Sequence, residues 1–361
     1  MRLVEIKHIT NNLDSRRIPL NSSQRAEKET NPMYPYIGAN NIMAYIDEYI
    51  FDDKILCIAE DGGSWGFMQT CAKIYNEKVW VNNHAHVLTA KEEIVLEYLM
   101  YYLNFTDLSL HINGATRGKL TKSSLNNIKV PLPPLEEQKK IAAILDAADE
   151  YRQKTKALIN KYDQLTQSLF LDMFGDPVTN SKGWIKKTVL EIAKTLFAGG
   201  DVPKNYFSKE RNEDYNIPIY SNGLNEKALY GFTNIAKVHE ESVTLSARGT
   251  IGHPEVRKAP FYPIIRLIVI TPKTDIVLAE YLKRALSFLE YRKGGTSIPQ
   301  LTVPMVKNKE VLTPPIELQN HFAEKVAQIE KQKQQAEASL VKAEELFSSL
   351  LQRAFKGELT N

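Results

Sequence analysis

Two stretches of this chain carry the hydrophobic spacing of long helices. Residues 135–174 and 316–356 contain neither glycine nor proline. In the second, Phe322, Val326, Ile329, Lys333, Ala336, Leu340, Ala343, Phe347, Leu350 and Ala354 recur in steps of four and three. That is a heptad seam, interrupted at Lys333. The matching positions in the first are Ile141, Leu145, Ala148, Arg152, Thr155, Ile159, Tyr162, Thr166, Leu169 and Met173. This seam is weaker at its centre, where Leu158 and Leu165 lie beside it and are expected to take it over. Each stretch predicts a helix of about 40 residues, near 60 Å at about 1.5 Å per residue. Pro133-Pro134 and Pro314-Pro315 suit the starts, and Gly175 and Gly357 suit the ends. A long helix with one apolar stripe needs a partner. The 140 residues of 176–315 between the two helices make an antiparallel pair the economical arrangement. The alternative is that each helix lies on its own globular domain.

The two helices belong to a larger repeat. "VPLPPLEEQKKIAAIL" at 130–145 matches "VLTPPIELQNHFAEKV" at 311–326, so that Gln138 pairs with Gln319, 181 residues on. The same offset pairs Phe174 with Phe355 without a gap. Upstream, "IVLEYL" at 94–99 echoes "IVLAEYL" at 276–282, and "DGGSWG" at 61–66 echoes "RGTIG" at 248–252. One unit of roughly 180 residues is used twice, with a diverged front and a better preserved back. The fronts alternate short β-like runs ("KILCIAEDGG", "WVNNHAHVLTA", "SVTLSARGTIG", "FYPIIRLIVITP") with Gly and Asn turns. A helical stretch follows in each. The fold class is α/β (α+β): two globular domains, 1–133 and 176–313, and two long antiparallel helices, 134–175 and 314–361, with pseudo-two-fold symmetry.

Composition changes this picture in one place. The net charge of +3 is uneven. Residues 1–134 carry 14 Lys and Arg against 15 acids, whereas residues 176–315 carry 20 against 14. A basic second globular segment invites an anionic partner, although solubility alone would also account for it. No run approaches the ~20 apolar residues that span a bilayer, and the start lacks an apolar signal core, so a cytoplasmic protein is expected. Cys57 and Cys71 fit reduced thiols in that setting.

Catalytic motifs are sparse. "NPMY" at 31–34 resembles the Asn-Pro-Pro-Tyr tetrapeptide of adenine methyltransferases, but Met33 replaces the second proline and no Gly-rich cofactor loop accompanies it. No Walker-type loop is present. His84 and His86 would share a strand face as a metal pair, yet lack a third ligand in a recognisable motif, so packing or surface histidines fit better. Glu5-x-Lys7 and Glu137-x-Lys139 have nuclease-like spacing, a common pattern, and the second lies on a long helix.

What remains are polar, glycine-bearing loops in both repeats. "GATRGK" offers Arg117 and Lys119; "EDGGSWG" offers Ser64 and Trp65; "GANN" offers Asn40 and Asn41. In the second repeat "YSNG" offers Ser221 and Asn222, and "ARGTIG" offers Arg248 and Thr250, with His253 beside it and Lys293 further on. Arginine suits guanine edges, asparagine suits adenine, and serine, lysine and backbone N–H groups suit phosphates. Ordinary turn chemistry is the better explanation for any one of these residues; the paired loops together carry more weight than any single member.

Two diverged globular segments, each followed by a Pro-Pro-x-x-x-Gln helix ("LPPLEEQKKIAAIL", "TPPIELQNHF"), resemble the specificity subunit of type I restriction–modification enzymes over essentially the whole chain. The resemblance implies that residues 1–133 and 176–313 are target recognition domains, each reading one half of a split site in double-stranded DNA. It implies that the paired helices act as a ruler and dock two DNA methyltransferase subunits. Those subunits and a restriction/translocase subunit would bring S-adenosylmethionine, ATP and magnesium; this chain would bring no cofactor and no catalysis. The slightly acidic first domain departs from the pattern, so its DNA face would be a local patch. A self-contained modification enzyme or nuclease, and a coiled-coil scaffold without DNA recognition, are the alternatives.

Overall fold

The computed structural model describes residues 2–114, 118–291 and 300–359. They divide into two compact units, Met1–Lys156 with Ala338–Asn361, and Ala157–Glu337. The long helices run Leu135–Phe174 and Ile316–Lys356. Gly175 and Gly357, at φ of 77° and 78°, take the left-handed turn that follows each.

The units repeat one topology. In the first, a four-stranded antiparallel sheet has the order Thr10–Asn12, Ala85–Ala90, Ile55–Ala59, Ala72–Tyr75. In the second the order is Ala193–Ala198, Ile268–Pro272, Ser242–Leu245, Pro254–Arg257. Each unit adds a three-stranded sheet with one antiparallel and one parallel pairing: Tyr34–Ile37 between Ile42–Ile46 and Trp80–Val81, and Ile217–Tyr220 between Leu229–Thr233 and Tyr262–Pro263. The central strands Ile55–Ala59 and Ile268–Pro272 are buried at every residue, which is why they read as continuous apolar runs rather than alternating ones. Helices Leu96–Phe105 and Ala279–Ser287 bury one face, the latter through Ala279, Tyr281, Leu282, Ala285 and Leu286 at helical spacing. Among the described residues no helix is long and apolar enough to cross a membrane.

The repeated glutamines join front to back. Gln138 is fully buried; its Nε2 donates to Glu93 O at 3.0 Å and Pro133 O at 2.9 Å, and its Oε1 accepts from Val95 N at 3.0 Å. Gln319 repeats this with Ile276 O at 3.0 Å, Pro314 O at 2.9 Å and Leu278 N at 2.9 Å. Val95 and Leu278 are the residues just before the short helices. One amide therefore satisfies a helix's first free N–H and fixes the turn into the long helix. Tyr98 and Tyr281 add parallel bonds to Pro131 O at 2.8 Å and Leu312 O at 2.9 Å.

Within each unit the long helices run antiparallel. In the first, Ile141 and Leu145 share a core with Leu351 and Ala354, and Lys156 Nζ meets Glu344 Oε1 at 3.0 Å. In the second, Phe170 and Phe174 pack on Phe322, and Lys333 Nζ donates to Asp163 Oδ1 at 2.6 Å. Every seam position is at least partly buried. Lys333 and its repeat-mate Arg152 break the apolar stripe, and each is compensated. Arg152 bonds Asp149 on its own helix and stacks 4.3 Å from the Phe347 ring.

Leu158 and Leu165 do not take over the first seam: they are 42% and 49% exposed. Thr155 and Thr166 hold it instead, because each hydroxyl donates one turn back along its own helix, to Tyr151 O at 2.8 Å and Tyr162 O at 3.1 Å. A threonine satisfied in this way costs little to bury.

Gln319→Ala should lower stability by about 3 kcal/mol, since it strands Leu278 N–H and two carbonyls away from water. Denaturant unfolding against exposed Gln334→Ala, expected within about 0.5 kcal/mol of wild type, checks this.

Candidate nucleic-acid interface

The anticipated loops lie where strands of both sheets end. In the first unit, strand Ile55–Ala59 runs out through Glu60 into the Asp61–Gly66 turn. Trp65 sits beneath that turn, not on it. It is 9% exposed, packs in the core and donates its indole N–H to Ala59 O at 3.1 Å. A Cβ on Gly63 would stand 3.0 Å from its ring, and one on Gly118 would stand 3.2 Å away, so both glycine loops close over the same indole. Leu120 N–H donates to Glu60 O at 2.7 Å and joins them. This leaves Ser64 and Lys119 exposed on neighbouring loops; Lys119 Nζ lies 3.0 Å from Glu60 Oε1. Asn40 and Asn41 are exposed on a turn closed by Gly38 N–H to Asn41 O at 2.9 Å. Arg117 lies outside the described residues, as does Lys293.

Beneath these loops is a polar network that no local motif announces. Arg17 donates to Glu60 Oε2 at 2.5 Å and to Ala85 O at 2.7 Å. Buried His86 places Nδ1 2.7 Å from Asp14 Oδ2 and Nε2 2.7 Å from Leu120 O, while Asp14 Oδ1 accepts from Val87 N at 2.9 Å. Both His86 nitrogens lie against protein oxygens, so neither is turned to an open position where a metal could sit. His84 precedes the strand and bonds Asp61 at 2.8 Å, so the histidines are no metal pair. Among the described residues no group of His, Cys, Asp and Glu could hold a metal ion. Burial pushes the carboxyl of Asp14 up, and His86, Asn12 and the Val87 N–H together more than offset it; Arg17, Lys119 and His86 together do the same for Glu60. Both carboxyls are held below their ordinary range. Cys57 and Cys71 are buried free thiols, and burial pushes both up, Cys71 to about 12, which makes them unreactive packing groups.

In the second unit strand Ser242–Leu245 leads to Arg248. Its side chain is exposed, with Nε and Nη2 donating to Gln300 Oε1 at 3.1 and 2.8 Å. Thr250 is exposed beside it, and His253 is half-buried, 3.6 Å from Glu255. Ser221 and Asn222 are tied to the framework more closely than their neighbours. Ser221 is buried, with its hydroxyl turned to backbone carbonyls. Asn222 spends its amide on the framework: Oδ1 accepts from Ala247 N at 2.7 Å, and Nδ2 donates to Ile265 O at 2.8 Å. An asparagine with both ends bonded to backbone positions loops.

The type I restriction modification DNA specificity domain model matches residues 1–164 and again 181–342. The chain belongs to the type I restriction–modification DNA specificity family. A putative type I specificity subunit of Mycoplasma pneumoniae is 31% identical over 296 residues, covering 81% of this chain and 79% of its own. A putative type I restriction enzyme specificity subunit of Haemophilus influenzae is 26% identical over 351 residues, covering 89% and 84%. The crystal structure of a type I S subunit from M. genitalium superposes over 98% of this chain and 96% of its own, with TM-score 0.68 at 15% identity. The part this specificity family plays is recognition, not catalysis.

Because the folded-state carboxyls of Asp14 and Glu60 titrate below their unfolded values near about 4, their contribution to stability is present above that value. It is lost as pH falls through the folded values. The thermal midpoint should therefore drop between about pH 5 and pH 3, and Asp14→Asn should start lower at pH 6 and flatten that drop.

Proposed function

We propose that this chain is the DNA-reading subunit of a type I restriction–modification complex acting in the cytoplasm, with residues 1–133 and 176–313 each reading one half of a split double-stranded target. The observation that carries this reading is a contrast within the repeat. The scaffold is duplicated down to single hydrogen bonds, as at Gln138 and Gln319. The loops at corresponding strand ends carry different polar groups: Asn40, Asn41, Ser64 and Lys119 in one unit, Arg248 and Thr250 in the other. A protein that reads two unlike half-sites needs that combination, since base edges are distinguished by the donors and acceptors offered to them. The excess of six positive charges over residues 176–315 suits a polyanion.

The long helices supply a surface for the methyltransferase subunits. Ile144, Tyr151, Leu158 and Leu165 recur every seven residues on the first helix and are all exposed, at 38 to 55%. The corresponding positions 181 residues on are Lys325, Gln332, Ser339 and Leu346. One helix therefore shows an exposed apolar heptad stripe along the flank of its own seam, and such a stripe fits a helix of a partner. Methyltransferase and restriction/translocase subunits would carry the S-adenosylmethionine, ATP and magnesium chemistry.

Replacing residues 176–313 by the corresponding segment of a relative should change one half of the methylated motif and leave the other. Sequencing methylated sites in cells tests it, and a change in both halves or in neither defeats the modular reading. Leu158→Lys with Leu165→Lys should abolish co-purification with the methyltransferase while the thermal midpoint of the chain stays near wild type, because both side chains are already solvated.

A further inference from the structure

In the second unit the short strand Tyr262–Pro263 passes to the buried strand Ile268–Pro272 through residues 264–267, and two of these have left-handed backbone: Ile265 at φ 52° and Arg266 at φ 64°. A β-branched residue there is an outlier, and two strained residues in succession persist only where their surroundings dictate them. The surroundings are explicit. Ile265 N–H donates to Gly200 O at 2.8 Å, Arg266 N–H to Gly199 O at 3.1 Å, and Leu267 N–H to Ile264 O at 3.0 Å. Asn222 Nδ2 holds Ile265 O from the other side. Gly199 allows this approach, since a Cβ there would lie 2.7 Å from Pro263 C and O.

The strain does not serve the core. Ile265 is 40% exposed and Arg266 is exposed. Among the described residues the Arg266 guanidinium has no hydrogen bond or ion pair, whereas Arg248 is tied to Gln300. Two further cations lie on segments linked to this loop. Asn222 links the loop to Ala247, next to Arg248, and Lys237 lies 5.9 Å from the Tyr262 ring. The first unit supplies a comparison. Between Trp80–Val81 and Ala85–Ala90 the same junction is Asn82-Asn83-His84, with Asn83 exposed. The junctions start alike, Asn82 N–H donating to Ile37 O at 3.1 Å and Ile264 N–H to Tyr220 O at 2.9 Å. One framework position thus presents an amide in one unit and an apolar residue with a guanidinium in the other.

We infer that the Ile265–Arg266 loop is a base-reading element of the second recognition domain, with Arg266 as a specificity-determining residue; the inference rests on the DNA-reading function proposed above. A guanidinium on a rigid turn with its donors free matches the paired acceptors of a guanine edge. Ile265 beside it offers an apolar contact to the neighbouring base.

The test uses the full chain with its methyltransferase subunits, reading methylated sites by sequencing and duplex binding across salt concentrations. Arg266→Ala should relax the preference at one base of one half-site and weaken binding about tenfold, leaving the other half-site intact. Ile265→Asn, better suited to left-handed backbone, should leave the thermal midpoint undiminished yet weaken binding. A uniform loss of affinity in Arg266→Ala, with the salt slope reduced by about one ion and the motif unchanged, would mean a phosphate contact and overturn the base-reading assignment. An unchanged motif and affinity would overturn it too, while leaving the specificity function standing. If deleting the wild-type chain alters no methylation, that function fails first.

Discussion

The buried amides of Gln138 and Gln319 are the point on which the architecture turns. Each makes three hydrogen bonds out of reach of solvent, linking the N–H that opens a short helix, a carbonyl just before that helix and a carbonyl of the Pro-Pro turn. No aliphatic side chain can do this, and a buried polar group that lost its partners would be costly. The direction in which a 40-residue helix leaves its globular segment is therefore set by one side chain.

The far end of each helix is fixed by aromatic packing. Phe355 packs against Tyr98 in the first unit, at 5.5 Å between ring centroids, and Phe174 against Tyr281 in the second, at 4.7 Å. The same tyrosines bond Pro131 and Leu312, so each unit holds the start of one helix and the end of the other on a single residue. Each core is completed by a segment remote in sequence, Ala338–Asn361 in the first. The strained Ile265–Arg266 turn lies outside these cores, with both residues exposed.

The polar groups near those loops sort into two kinds. Arg17, Asp14, Glu60 and His86 bond one another and the backbone, and Asn222 and Trp65 bond only backbone. These residues position the loops. Asn40, Asn41, Ser64, Thr250 and Arg266 are turned outward and can be exchanged without disturbing a hydrogen-bonded frame. A protein that must change what it reads while keeping its fold needs that separation.

The sequence by itself determined the duplication, both long helices with their seams and glycine stops, the mixed α and β fronts and the family resemblance. Those features repeat at fixed spacing along the chain, and local periodicity expresses them directly. Only the tertiary structure decided which side chains face outward. Trp65, Ser221 and Asn222 share polar glycine turns with exposed neighbours, and nothing local separates an asparagine bonded to two backbone strands from one facing solvent. Thr155 and Thr166 hold the seam while Leu158 and Leu165 lie outside it, because a threonine hydroxyl can be satisfied one helical turn back, which hydrophobicity alone does not register. The network of Asp14, Arg17, Glu60, His86 and Lys119 joins residues up to 105 positions apart, from Asp14 to Lys119, and only the folded sheet brings them together.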